Sequence, residues 1–178
     1  MPSAILAKLL DDRDLTVTEA TDLMERIMAG EVSPVSLAAI LIALRANGES
    51  VGEITGFATA MRRHVVPVPA ATPGLLDTCG TGGDMSGTIN ISTAAAILAA
   101  AMGIPVAKHG NRAVSSGSGS ADVLEAAGVN LAMGADAVGR SIDTIGVGFM
   151  FAPAHHSAMK HVITARKEIG VRTVFNLL

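Results

Sequence analysis

The chain has 178 residues, 49% of them hydrophobic, and a formal net charge of −3 at pH 7. That length can bury a real core, either as one domain or as a small domain with part of a larger one. The negative charge and the lack of Trp and Tyr argue against a nucleic-acid partner, and Gly103 and Pro105 interrupt the longest apolar run, which argues against a membrane partner.

Residues 1–66 are predicted to form an all-helical N-terminal domain. Two capping boxes, Thr-x-x-Glu at 16–19 and Ser-x-x-Glu at 50–53, mark helix starts because the hydroxyl and the carboxylate satisfy free backbone amides. Ser33 followed by Pro34 predicts another start, since proline is well tolerated in the first helical turn. The buried stripe predicted for that helix consists of Leu37, Ile40, Leu41 and Leu44.

A proline-rich linker is predicted at 67–74, and an α/β domain follows over 75–178. The predicted strands lie at 75–78, 104–108, 147–151 and 172–175. The predicted helices lie at 92–102, 120–127, 135–145 and 154–169. This alternation is typical of a parallel sheet with helices on its faces, so the fold class is α/β with a helical N-terminal domain.

The first polar segment, residues 77–93, contains glycines at 80, 82, 83 and 87. Glycine lets backbone amides approach an anion closely, and residues 90–93 fall at a predicted helix start, where the dipole favours an anion. The pattern matches neither the dinucleotide fingerprint nor the P-loop, which needs a lysine after its last glycine. It indicates a phosphate-binding loop; the alternative is a flexible glycine loop without a ligand.

The second polar segment, residues 108–120, includes the basic residues Lys108 and Arg112. Both polar segments follow predicted strands. Ligands of parallel α/β sheets bind at the carboxyl ends of strands, so we expect the two segments to lie side by side around phosphate groups. Asp122 and Glu125, in the first turns of the next helix, are interpreted as acids that complement its dipole.

The two segments together resemble the anthranilate phosphoribosyltransferase family. The family's GTGGD stands at 80–84, its N-x-S-T at 90–93 and its K-H-G-N-R-A-V-S-S at 108–116. Residues 148–160 and 166–178 are similar to its next two blocks. The resemblance implies transfer of the phosphoribosyl group from 5-phosphoribosyl 1-pyrophosphate (PRPP) to the amine of anthranilate, giving N-(5-phosphoribosyl)anthranilate and pyrophosphate in L-tryptophan biosynthesis.

The resemblance also implies the site residues. Its PRPP contacts are Gly80, Gly83, Asp84, Thr88, Asn90, Ile91, Ser92, Thr93, Lys108, His109, Gly110, Asn111, Arg112, Ala113, Val114, Ser115, Ser116 and Ser120. Its anthranilate contacts are Gly80, Asn111 and Arg166, and Ser92 is one ligand of the cofactor Mg²⁺. No side chain is assigned a covalent or acid–base role, because the aromatic amine is already neutral at pH 7. A homodimer through the helical region is implied as well.

The histidines and the cysteine support no further site. His155 and His156 are adjacent and cannot both point inward from one helical face, which argues against zinc. The resemblance implies that one of them lines the acceptor pocket; the alternative is that it simply caps the helix. The single cysteine, Cys79, excludes an internal disulfide, so a cytoplasmic location is expected.

The length of the sequence leaves alternatives open. The family's chains are nearly twice as long, so the C-terminal part of the α/β domain is expected to be missing, with the Asp-Glu pair that holds magnesium. Gly117 stands where many relatives carry a basic residue. One alternative is a catalytically incompetent fragment of the enzyme. Another is a protein like the pyrimidine nucleoside phosphorylases, which share the architecture but bind free phosphate and a nucleoside.

Overall fold

The computed structural model describes residues 2–80, 88–113 and 117–178. It contains two compact units, a helical unit of Met1–Val65 with Ser157–Leu178 and an α/β unit of Val66–His156. The first boundary lies beside the predicted end of the helical domain. The second boundary, after His156, differs from the prediction, in which the α/β domain extends to residue 178. The reason is that side chains near the end of the chain are buried in the helical core, namely Val162, Ala165, Val174 and Phe175.

Four helices begin the helical unit. They are α1 (Pro2–Leu10), α2 (Val17–Met28), α3 (Pro34–Asn47) and α4 (Val51–His64). Both predicted capping boxes are confirmed, at the starts of α2 and α4. Ser33 caps α3, whose predicted stripe is buried, each side chain being at most 1% exposed. Local sequence signals therefore set the helix starts, and the apolar stripes build the core.

Within its described residues, the α/β unit contains two parallel strands, β1 (Val106–Gly110) and β2 (Val147–Phe151). They pair residue by residue from their first to their last residue. The predicted strand at 75–78 is present as one parallel bridge between Leu76 and Val106. The predicted parallel arrangement is therefore confirmed, with β1 between Leu76 and β2 in the described part of the sheet.

Three helices of the α/β unit confirm predicted ones to within one residue at each end. They are α5 (Ile91–Ala101), α6 (Ser120–Ala126) and α7 (Ala135–Ile145). Neighbouring strand residues point to opposite faces of a sheet. Ala107 packs with α7, whereas Phe149, the partner of Lys108 across the strands, packs with α6. Helices thus cover both faces, and Lys108 lies on the α6 face.

The remaining elements correct two predictions. The helix predicted at 154–169 is broken into α8 (Ala152–His155), a 3-10 turn and α9 (Lys160–Ile169). The break falls at His156, whose backbone angles of −118° and 59° are not helical. The strand predicted at 172–175 is wrong, because a 3-10 turn at Val174–Asn176 buries its apolar residues in the helical core.

The linker is held on α7 by one carboxylate. Asp143 accepts hydrogen bonds from the Ala71 and Thr72 amides at 2.9–3.0 Å and from the Thr72 hydroxyl at 2.7 Å. These bonds lower the pKa of Asp143, the Ala71 amide most of all. Gly139 permits the close approach, since a Cβ there would overlap the Pro69 carbonyl. None of the helices among the described residues combines the length and apolar character needed to cross a membrane.

Candidate active site

The first polar segment is tied to the end of β1 by Asp77. Its Oδ1 accepts hydrogen bonds from the Cys79 amide at 2.9 Å and from the His109 amide at 3.4 Å. Asp77 directly follows the residue that bridges to β1, at the carboxyl edge where parallel α/β sheets bind ligands. The carboxylate therefore fixes the start of the glycine segment beside β1.

A buried lysine points at the first turn of α5. Lys108 is 3% exposed, and its ammonium donates a hydrogen bond to the Ser92 hydroxyl at 3.3 Å. The Thr78 hydroxyl donates to the Ser92 carbonyl at 2.7 Å, which joins the glycine segment to the same turn. An ammonium has three donors, and no carboxylate of the described ranges pairs with this one. The arrangement is suited to an anion at the N-terminus of α5.

A side-chain amide links the two polar segments. Asn90 immediately precedes α5, and its side chain forms no cap there. Its Nδ2 instead donates to the Ser118 carbonyl at 3.1 Å. With the Lys108 to Ser92 bond, this places residues of both segments side by side, as the strand-edge argument predicts. The described parts of the segments thus form one polar site.

Arg112 forms ion pairs with two carboxylates of α6. Its guanidinium donates two bonds to Glu125, at 2.7 and 2.9 Å, and one to Asp122 at 3.1 Å. It also lies 5.8 Å from the centroid of the Phe151 ring. Glu125 and Asp122 hold the pKa of the guanidinium above its usual value, and Arg112 in turn lowers the pKa of Glu125. The positive charge of Arg112 is therefore compensated by two carboxylates of α6, Asp122 and Glu125.

His109 of β1 lies against His156, the residue that follows α8. The rings of His109 and His156 meet edge to face, with centroids 5.4 Å apart. Burial lowers the pKa of both rings, which disfavours the protonated form of each. His155 is buried, and its ring nitrogens have no hydrogen-bond partner among the described residues. No group of three or more His, Cys, Asp or Glu in the described ranges could hold a metal ion.

Other predicted site residues take varied positions. Gly80, Thr88, Ile91 and Asn111 are exposed, and Thr93 is buried, its hydroxyl without a hydrogen-bond partner in the described ranges. Gly110 lies so close to Ser120 and the Phe149 ring that an added Cβ would come within 3.0 Å of both. The predictions for Gly83, Asp84, Val114, Ser115 and Ser116 lie outside the described residues.

Arg166, predicted to contact the acceptor, lies on α9 in the helical unit. Its guanidinium is 5.5 Å from the centroid of the Phe175 ring. Burial lowers the pKa of Arg166. A half-buried cation on an aromatic face is suited to a carboxylate ligand.

Ser92 can supply one oxygen to a magnesium ion. A hydroxyl has two lone pairs, and Lys108 uses one of those on Ser92. Mg²⁺ usually keeps several waters and binds few protein groups besides substrate phosphates. The described residues therefore fit a magnesium ion that takes one protein ligand and completes its coordination with waters and phosphate oxygens.

The sequence analysis assigned no site role to Asp77, Thr78 or Asp122. Asp77 follows a predicted strand directly, which is a signal for a residue at the binding edge. Thr78 gives no such signal, because its bond to the Ser92 carbonyl depends on the folded path that brings α5 back beside residue 78. Asp122 was interpreted only as an acid that complements the helix dipole, and that interpretation does not predict the hydrogen bonds it accepts from the Ala113 and Gly119 amides.

Comparisons with known proteins cover both parts of the chain. Residues 3–65 match the helical bundle domain of the glycosyl transferase family, and residues 72–178 match its a/b domain. An anthranilate phosphoribosyltransferase from Hahella chejuensis is 58% identical over 175 residues, covering 98% of this chain and 51% of the relative. One from Chromobacterium violaceum is 57% identical over 178 residues, covering 99% and 52%. The chain spans about half the length of these curated relatives.

Solved structures give the same result. The crystal structure of anthranilate phosphoribosyltransferase from Thermus thermophilus superposes with a TM-score of 0.89 at 50% identity, covering 97% of this chain and 52% of the other. The Saccharomyces cerevisiae enzyme in complex with PRPP and Mg has a TM-score of 0.90 at 30% identity, covering 99% and 53%. Another structure of the yeast enzyme contains 4-fluoroanthranilate.

Proposed function

We propose that this chain, which belongs to the glycosyl transferase family, forms the PRPP-binding part of an anthranilate phosphoribosyltransferase. The observation that supports this best is the buried Lys108 ammonium at the first turn of α5, held there by Ser92. A buried ammonium without a paired carboxylate in the described ranges favours a polyanion, and a diphosphate is one. The proposed reaction transfers the phosphoribosyl group from PRPP to the amine of anthranilate, in L-tryptophan biosynthesis.

The chain's own groups act on the leaving diphosphate. As pyrophosphate departs, negative charge grows on its oxygens, and positive charge grows on the ribose. Lys108 and the N-terminus of α5 stabilise the departing diphosphate in place, so the protein reorganises little during the reaction. Bound Mg²⁺ would add charge neutralisation on the phosphate oxygens, with Ser92 as one ligand. No covalent intermediate is needed.

The acceptor is assigned to Gly80, Asn111 and Arg166. Arg166 is proposed to pair with the anthranilate carboxylate, because a guanidinium can bind both carboxylate oxygens. The amine of anthranilate is the nucleophile and is uncharged at pH 7.

An assay with the separated halves tests the proposal. We expect the 178-residue chain alone to bind PRPP without appreciable formation of N-(5-phosphoribosyl)anthranilate, and we expect turnover when the C-terminal half of a relative is added. Failure to bind PRPP would contradict the proposed function. Appreciable turnover by the short chain alone would instead refute the fragment alternative and show that this half contains the catalytic groups.

Assembly and location are part of the same proposal. The helical unit exposes Val35 and Ile42 of α3, which are 80% and 43% exposed, and we propose that it forms a homodimer through this region. We also propose a cytoplasmic location, which the single cysteine supports because it leaves no internal disulfide possible.

A further inference from the structure

Asp122 holds two distant points of the second polar segment together. Its Oδ2 accepts hydrogen bonds from the Ala113 amide at 2.9 Å and the Gly119 amide at 2.8 Å. Ala113 lies just beyond β1, and Gly119 is the residue before α6. One carboxylate therefore joins the exit of the strand to the entry of the helix.

The backbone around this carboxylate is closely packed. A Cβ at Gly119 would overlap the Ala113 nitrogen and the Arg112 carbonyl carbon, so only glycine fits there without a shift. The Ala121 amide adds a bond to the Asn111 carbonyl at 3.1 Å. The exit of β1 and the entry of α6 thus pack as one joint, which we call the Asp122 joint.

The Asp122 joint connects directly to the polar site. Ser118, next to Gly119, accepts the hydrogen bond from Asn90 through its carbonyl. Asn90 in turn immediately precedes α5, whose first turn holds Ser92 and the Lys108 ammonium. A displacement of Gly119 would therefore move Ser118 and release Asn90.

We propose that Asp122 is a positioning residue for the diphosphate site: through the Ala113 and Gly119 amides it sets the position of Ser118 and, through Asn90, the first turn of α5. This inference rests on the proposed function. Asp122 touches no substrate in this scheme. It acts by fixing the backbone against which the anion site is built.

The ionised form of Asp122 suits this role. The Ala113 amide, then the Gly119 amide and then Arg112 hold the pKa of Asp122 below its usual value. Amide hydrogen bonds to a carboxylate are roughly twice as strong as those between neutral groups. Glu125 differs, because in the part of the chain that the structure describes it accepts its side-chain hydrogen bonds from Arg112 and none from a backbone amide. The two acids of α6 thus allow the backbone contacts to be tested apart from the ion pair.

The test measures PRPP affinity by titration calorimetry on the 178-residue chain and on variants whose folding is checked by thermal denaturation. We expect Asp122→Ala to weaken binding about tenfold or more. Asp122→Asn, which keeps a neutral acceptor oxygen, should restore part of the affinity. Glu125→Gln should stay within about twofold of the unchanged chain. Asp136→Ala, which removes an exposed acid from the first turn of α7, is the matched control for helix-dipole effects.

Amide hydrogen exchange at Ala113 and Gly119 provides a readout that does not need the substrate. Exchange at both should be faster in Asp122→Ala, or in Asp122→Asn if the alanine variant does not fold. Unchanged affinity and exchange in a folded Asp122 variant would overturn the inference, and so would an equal loss of affinity in Glu125→Gln. If the unchanged chain fails to bind PRPP, the proposed function fails, and exchange still decides whether Asp122 holds the joint.

Discussion

Lys108 is the residue whose environment is hardest to explain without a ligand. Its ammonium is buried, and the hydrogen bond that the structure gives it is to a neutral hydroxyl. Removing an ammonium from water is unfavourable unless an anion or several acceptors replace the water. We therefore expect a bound polyanion to offset the unfavourable free energy of burying the Lys108 ammonium.

Replacing this lysine should separate binding from stability. We expect Lys108→Met to weaken PRPP binding about tenfold or more, because a charge-assisted contact to phosphate is lost. Its thermal stability should be equal or higher, since a buried charge is replaced by an apolar chain of similar length. Calorimetric titration and thermal denaturation measure the two effects. The control is Lys167→Met, which replaces an exposed lysine of α9 and should change neither PRPP affinity nor thermal stability. Unaltered PRPP binding by Lys108→Met would contradict the role of Lys108.

At the scale of elements, the start of α2 shows how one acid can stabilise a helix. Glu19 accepts hydrogen bonds from the Thr16 amide at 2.8 Å and the Lys8 ammonium at 2.6 Å. These contacts, with Lys8 the largest, lower the pKa of Glu19 to about 2. The carboxylate thus fastens α1 to α2 as well as capping α2. Its side chain is 38% exposed, so solvent screens part of this stabilisation.

The lowered pKa predicts how stability depends on pH. A carboxyl whose pKa is lower when folded stabilises the protein above its unfolded value, and that stabilisation is lost as pH falls through the folded value. The contribution of Glu19 should therefore be complete above pH 4.5 and decline toward pH 2. Glu19→Gln should lower the urea midpoint at pH 6, and its difference from the unchanged chain should shrink toward pH 2. Glu31→Gln, which removes the exposed ion pair with Arg26, should have little effect on the urea midpoint at any pH. An identical response of the Glu19 and Glu31 variants would rule out the capping argument.

At the scale of the whole molecule, the chain combines a well-packed helical unit with an α/β unit that exposes several large apolar side chains. Ile97, Leu98 and Met102, in and just after α5, are each more than half exposed. In the helical unit, a groove between α1 and α3 is lined by Leu6, Leu10 and Ile42. Exposed apolar patches of this kind are typical of surfaces that contact another protein or domain.

The exposed apolar face of α3 predicts that the chain forms a dimer in solution. If the chain dimerises through α3, light scattering should give twice the 18.0 kDa chain mass. Ile42→Asp should shift the mass toward one chain, because burying a carboxylate in an apolar interface is unfavourable. Val17→Asp, an equally exposed apolar position on α2, should leave the mass unchanged. A monomeric unchanged chain, or a dimer insensitive to Ile42→Asp, would contradict dimerisation through this face.

The candidate site could be located from the sequence because its parts follow strands and begin helices. Asn90, Ser92 and Lys108 come together as the strand-edge argument predicts. The partners of charged side chains could not be predicted in the same way. Arg112, predicted as a PRPP contact, has its guanidinium bound by two acids of α6. Which charges pair depends on distances across the fold, and the sequence pattern of α6 was equally consistent with simple dipole complementation.

The sequence by itself determined the helix caps, the buried stripe of α3 and the parallel order of β1 and β2, because hydroxyl capping, apolar periodicity and strand–helix alternation act over a few residues or a single crossover. Only the tertiary structure decided the course of the chain after His156. There the predicted strand at 172–175 is a 3-10 turn, and Val174 and Phe175 are buried with the helices. A short apolar stretch fits a strand and a helical core equally well, so the choice depends on which surface it meets.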